Sequence, residues 1–138
     1  KAMIISTSQS QGNVPVTVIK LDGQLDAQNH QELITKAQEL YNVGVRNFLF
    51  DLSDLTYISS SGLVALCSVA LLARGEKLPS TEDGRPASRH LVRATEAGTQ
   101  KHVKLLSPRS EVMHVFDIVG LGTLFEVFTN LDQAINSF

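Results

Sequence analysis

Asp51-Leu52-Ser53-Asp54-Leu55-Thr56-Tyr57-Ile58-Ser59-Ser60-Ser61-Gly62-Leu63 begins at the end of one apolar run, Asn47–Leu52, and leads into a second, Leu63–Ala73, broken only by Ser68. The first run is short and nearly continuous, the pattern of a strand covered on both faces. The second is apolar almost all round at helical pitch, so its helix is buried on one side and covered, or used as a contact, on the other. The serines between them deliver three hydroxyls to the first turn of that helix. A helix N-terminus exposes unpaired N–H groups and about half a positive charge, which favours an anion there. Serine is also a preferred N-cap, and Ser59 or Ser60 acting only as a cap is the plainer reading. Three in succession followed by Gly62 exceed what capping needs.

Upstream, Met3–Ser8 and Val14–Leu21 are β-rich runs on either side of a Gln11-Gly12-Asn13 turn signal, and Pro15 suggests an edge or a strand entrance. Asp22–Asp26 reads as a polar loop. Asn29 with Glu32 makes a capping-box pattern ahead of Leu33, Ile34, Ala37, Leu40 and Tyr41 at helical spacing, with Gly44 as the stop. Downstream, Val103–Leu106 is a strand, and Ser107-Pro108 opens a helix with the stripe Val112, Met113, Phe116 and Val119, ended by Gly120. Phe125–Phe128 is a last strand, and Asn130 with Gln133 repeats the capping logic for a short terminal helix.

The order β-β-α-β-α-β-α-β-α contains three strand–helix–strand crossovers. It implies an α/β fold with a single small mixed sheet, mostly parallel, and helices packed against it. Functional loops of open sheets gather at the C-terminal strand ends, where the segment from Leu52 to Gly62 falls. Gly75–His102 departs from this rhythm: nine of its 28 residues are charged, and Pro79, Gly84, Pro86 and Gly98 punctuate it. It reads as an inserted surface loop of one domain spanning 1–138, adding little core, with Leu91-Val92 as a seed for a brief helix.

Composition narrows the function classes. At 138 residues the chain is long enough for one independent core and too short for most two-domain enzymes. Twelve basic against 14 acidic residues give a net charge of −2, with no basic footprint for nucleic acid or anionic lipid. Cys67 is the only cysteine, so no intrachain disulfide or multi-cysteine zinc site can form. His30, His90, His102 and His114 are scattered without a close pair, which points away from a metal site. A hydrolase nucleophile elbow needs Gly two residues before the serine, where Ile58 precedes Ser60 and Ser59 precedes Ser61. No signal-peptide architecture opens the chain, and Leu63–Ala73 spans only about 16 Å as a helix against a hydrocarbon core of about 30 Å. A soluble, cytoplasmic protein is the expectation. Lys1 is no natural initiator, so N-terminal processing or trimming is expected as well.

The stretch over 51–63 resembles the signature of STAS domains, the family of bacterial anti-sigma-factor antagonists. Gly23-Gln24-Leu25-Asp26 is similar to that family's loop after its second strand, and the order of elements matches over essentially the whole chain except Gly75–His102. The resemblance implies a STAS-like fold and a signalling, protein-binding module that is not an enzyme and needs no cofactor. It implies an anti-sigma factor that is also a serine kinase as partner, bound when the chain is unphosphorylated. A serine phosphatase would reverse the mark, transcription would be regulated indirectly, and nucleic acid would not be touched. The family's phosphorylated serine, at the start of the second helix, corresponds to Ser60. Asp26, Ser59, Ser61, Gly62 and Leu63 correspond to the partner-binding surface, although Asp22 and Asp26 also have a plainer reading as turn and cap residues. Two departures stand out: Ser59 occupies a position that is Asp in many phosphorylated members, and compact antagonists lack the long insertion. A second reading is a STAS scaffold or regulatory subunit, for instance of a transporter, in which Ser60 only caps its helix.

Overall fold

In the computed structural model, which describes residues 2–76, 93–96 and 98–138, the chain opens with a hairpin. Strand β1 (Ile4–Gln11) pairs antiparallel with β2 (Pro15–Leu25) from Ile4 opposite Asp22 to Gln11 opposite Pro15. Helix α1 (His30–Asn42) crosses over to β3 (Phe48–Asp51), which lies parallel to β2. A short strand β4 (Leu55–Ile58) leads into α2 (Ser60–Ala73). The chain then returns to β5 (Val103–Leu106) beside β3, and α3 (Ser110–Ile118) leads to β6 (Val127–Phe128) beside β5. Helix α4 (Leu131–Asn136) closes the chain. The sheet order is β1-β2-β3-β5-β6, mixed and mostly parallel, as the crossovers predict. No helix among the described residues is long and apolar enough to cross a membrane.

Two hydrophobic clusters among the described residues hold the layers together. The larger joins Ile19, Leu21, Phe48, Phe50, Val103 and Leu105 of the sheet to α1, α2 and α3, with Phe116 edge-on to Phe125 at 6.2 Å between centroids. The smaller lies on the other face, where Ala134 and Ile135 of α4 cover Val16, Val18, Leu49 and Leu106. Every residue of α2 from Gly62 to Ala73 except Val64 is buried, so the all-round apolar helix is covered on both sides.

Several local expectations are corrected. The polar Asp22–Asp26 loop is strand as far as Leu25, because β2 runs past β3 and pairs its far end with β4, Gly23 to Leu55 and Leu25 to Ile58. Of the two readings of Pro15 the strand entrance holds: it is the first residue of β2, an inner strand, where its missing N–H does little harm. Asn29 makes no side-chain cap for α1. Pro108 lies before α3, whose N-cap is Arg109, while Ser107 turns through a positive φ of 50°. The last strand is only Val127–Phe128. Within Gly75–His102, Leu91-Val92 falls outside the described residues. Residues 93–96 are helical, Ala94 is fully buried in the main core, and the buried Gln100 donates to the Ala94 and Gly98 carbonyls. The described part of that segment thus places Ala94 and Gln100 in the interior. Arg74, Glu76 and Arg93 form ion pairs where it leaves α2.

Candidate functional site

The site is built where β2 ends beside β4. Gly23 N–H donates to the Asp54 carbonyl at 3.1 Å, and Thr56 Oγ1 donates to the Gly23 carbonyl at 3.1 Å. One residue past β4, Ser59 N–H donates to the Leu25 carbonyl at 2.9 Å. This bond fixes the start of α2 against the end of β2 and brings Asp26 beside the serine turn.

Ser59 is the N-cap: its backbone is extended and its hydroxyl accepts the Gly62 N–H at 3.3 Å. Ser60, the first helical residue, is exposed. Its hydroxyl and the backbone N–H groups of Ser60 and Ser61 have no partner among the described residues. Capping and the exposed hydroxyl are therefore assigned to different serines, which the sequence left undecided. The first turn of α2 presents a free hydroxyl beside two free donors at the positive end of the helix.

The approach loop is tied down by Asn29. Its Oδ1 accepts the Asp26 N–H at 2.9 Å, and its Nδ2 donates to the Gln24 carbonyl at 2.7 Å. Asp26 in turn accepts the Gln28 N–H at 3.0 Å on its carboxylate and the His30 N–H at 2.9 Å on its carbonyl. The expected capping box is thus replaced by a side chain that braces the end of β2.

Gly62 and Leu63 do not belong to the surface. Leu63 is in the main core, and Gly62 is packed closely on Leu25 and Ile58, so the two residues shape the site from beneath. Among the expected contact residues, Asp26, Ser59 and Ser61 remain partly exposed. Sequence reading missed Thr56 and Tyr57, both exposed on β4; Tyr57 shows 49% of its surface three residues before Ser60. An aromatic residue in a β-prone quartet was the available signal.

Charge on the neighbouring rim is paired. Lys20 meets Asp54 at 3.0 Å, and this hydrogen bond, with the charges of Asp54 and Asp51, raises its pKa above the ordinary 10.5. Asp51 Oδ1 accepts both the Ser53 N–H and its hydroxyl, and Arg109 Nε donates to the Ser53 carbonyl at 2.9 Å.

A family model described as "Mlab, STAS domain" matches residues 8–98. No curated protein matches the chain in sequence. Among solved structures, an anti-sigma factor antagonist from Mycobacterium paratuberculosis is similar with a TM-score of 0.67 and 17% identity, over 99% of this chain and 93% of its own. The unphosphorylated form of the anti-sigma factor antagonist SpoIIAA gives 0.58 and 21%, over 95% and 94%. The phosphorylated form of SpoIIAA, a Bacillus cell fate determinant, gives 0.53 and 21%, over 96% and 97%. At these identities the likeness establishes the fold.

Proposed function

Because this chain belongs to the STAS domain family, we propose that it is a cytoplasmic anti-sigma-factor antagonist, a binding module whose contact surface is the serine turn of α2. Unphosphorylated, it binds an anti-sigma factor that is also a serine kinase, and so frees a sigma factor. Phosphorylation of Ser60 ends that binding, and a serine phosphatase restores it.

One observation carries the reading: Ser59 holds the cap while Ser60 stands exposed with a free hydroxyl. A phosphate adds about −1.5 to −2 charge and three acceptor oxygens. The unpaired N–H groups of Ser60 and Ser61 and the positive helix end can hold that charge within the molecule. The fold therefore tolerates the modification. The contact surface does not, because Asp26 already contributes negative charge there and a partner built for neutral serines would bury an unpaired anion. Tyr57 supplies the aromatic area typical of contact surfaces. SpoIIAA, which shares the fold, has been solved in both phosphorylation states.

The test is mass spectrometry after incubation with ATP and a candidate serine kinase of the histidine-kinase-like fold. Stoichiometric phosphate on Ser60 is expected; phosphate only on Ser59 or Ser61 would show the site to be misassigned. Membership of the STAS family is equally compatible with a scaffold or transporter-subunit reading, the second choice. It predicts that the kinase leaves Ser60 unmodified.

A further inference from the structure

Strand β1 forms one edge of the sheet, and the opposite edge, β6, is only two residues long. β1 reads Ile-Ile-Ser-Thr-Ser-Gln-Ser-Gln, eight residues without a charge or a proline. Its register on β2 runs unbroken, without a bulge, and nothing among the described residues pairs with its outer side. Exposed edges in soluble proteins are normally blunted by charges, proline, bulges or short length. This edge has none of the four.

We propose that β1 pairs antiparallel with β1 of a second copy of the chain, joining the two sheets into one across a two-fold axis. A strand placed against itself requires each residue to tolerate its symmetry mate. Charged residues near the axis would face their own sign, whereas Ser6, Thr7, Ser8 and Gln9 carry hydroxyls and an amide that both donate and accept. The adjoining surface satisfies the same condition. The groove of about 550 Å³ between β1 and α1 is lined by Ile5, Gln31, Glu32, Thr35, Lys36 and Glu39. It carries both signs, so a two-fold contact can set carboxylates against lysines; a groove of one sign would repel its copy. The axis of such a pairing stands perpendicular to the sheet, so the two serine turns lie at opposite ends of the dimer. Both stay open to partners, and the dimer is bivalent.

Sedimentation of the parent chain tests this directly, beside the Thr7→Lys/Ser8→Lys double variant and a Val127→Lys control on the other edge. The expected result is a dimer for the parent and the control, and loss of the dimer in the double variant with unchanged far-UV circular dichroism. Single cysteines at each position from Ser6 to Gln9 provide an independent readout, since the native Cys67 is buried. An interchain disulfide at the position nearest the axis is expected. A parent that stays monomeric at its solubility limit, a dimer that survives the two lysines, open-ended oligomers, or no crosslink at any of the four positions would each overturn the proposal.

Discussion

Replacing Gly62 by alanine sets two physical effects against each other at the point where the site is assembled. In an unconstrained helix, Gly→Ala stabilises by about 1 kcal/mol. Here the new Cβ would lie 2.7 Å from Ile58 Cγ1, 2.8 Å from the Leu25 carbonyl oxygen and 2.9 Å from Leu25 Cγ. The two side chains can rotate aside, but the carbonyl is strand backbone and already accepts the Ser59 N–H at 2.9 Å. The helix must therefore back away by a few tenths of an ångström. Overpacking of this kind costs about 1–3 kcal/mol, and losing the Ser59–Leu25 bond costs a further ~0.5–1.5 kcal/mol. Set against the gain in helix propensity, the net is a destabilisation of about 0.5–3.5 kcal/mol. Each kcal/mol lowers Tm by about 3–5 °C in a domain of this length. Urea and thermal unfolding measure it, with Ser61→Ala in the same turn expected to stay within about 0.5 kcal/mol of the parent. A Gly62→Ala protein as stable as the parent, or more stable, would refute the close packing of α2 on β2.

The division of labour between serines predicts that Ser59→Ala costs about 1 kcal/mol while Ser60→Ala stays within about 0.5 kcal/mol. Denaturant unfolding of the pair checks it, and the reverse order would assign the cap to Ser60. Asn29→Ala removes both braces of the β2 end and should cost about 1–3 kcal/mol in the same assay; a neutral result would mean that the loop holds itself. Burial pushes the Cys67 thiol from its ordinary 9.0 up to about 12. The folded state therefore holds the proton more tightly than the unfolded one. The resulting stability is full below about pH 9 and is lost as the pH rises towards 12, at about 1.4 kcal/mol per pH unit. Unfolding measured across that range should fall less steeply in Cys67→Ala than in the parent, and equal slopes would contradict the burial of the thiol.

The strongly periodic or continuous segments were legible because their own side chains carry the pattern. Helix α1, the all-apolar α2, and strands β3 and β5 follow from local spacing and need no partner to be recognised. β4 was not legible. Leu55 and Ile58 are buried while Thr56 and Tyr57 between them are exposed, so the quartet shows no alternation. Its partner is the end of β2 that Asp22 and Gly23 disguise as a turn. Gly23 has a φ of 120° and a Cβ there would meet the Ala2 carbonyl oxygen at 2.6 Å, so its glycine reflects close backbone approach within a strand. At the candidate site, the sequence pattern singled out Ser60 and Asp26 as candidates. It could not separate the capping serine from the free one, which depends on the bond from Ser59 to Leu25, a contact between residues far apart in sequence. Ala94 and Gln100 were hidden by the polar residues around them.

If Ser60 is a switch on a contact surface, its phosphorylation must change the affinity for the kinase. The affinity of the chain for its anti-sigma kinase is determined by calorimetry with unphosphorylated protein and with protein phosphorylated enzymatically on Ser60, with thermal unfolding of both forms as the control. Tight binding by the unphosphorylated form is expected, with at least about a tenfold loss, ~1.4 kcal/mol, in the phosphorylated one and both forms still folded. Equal affinities for two folded forms would contradict the switch.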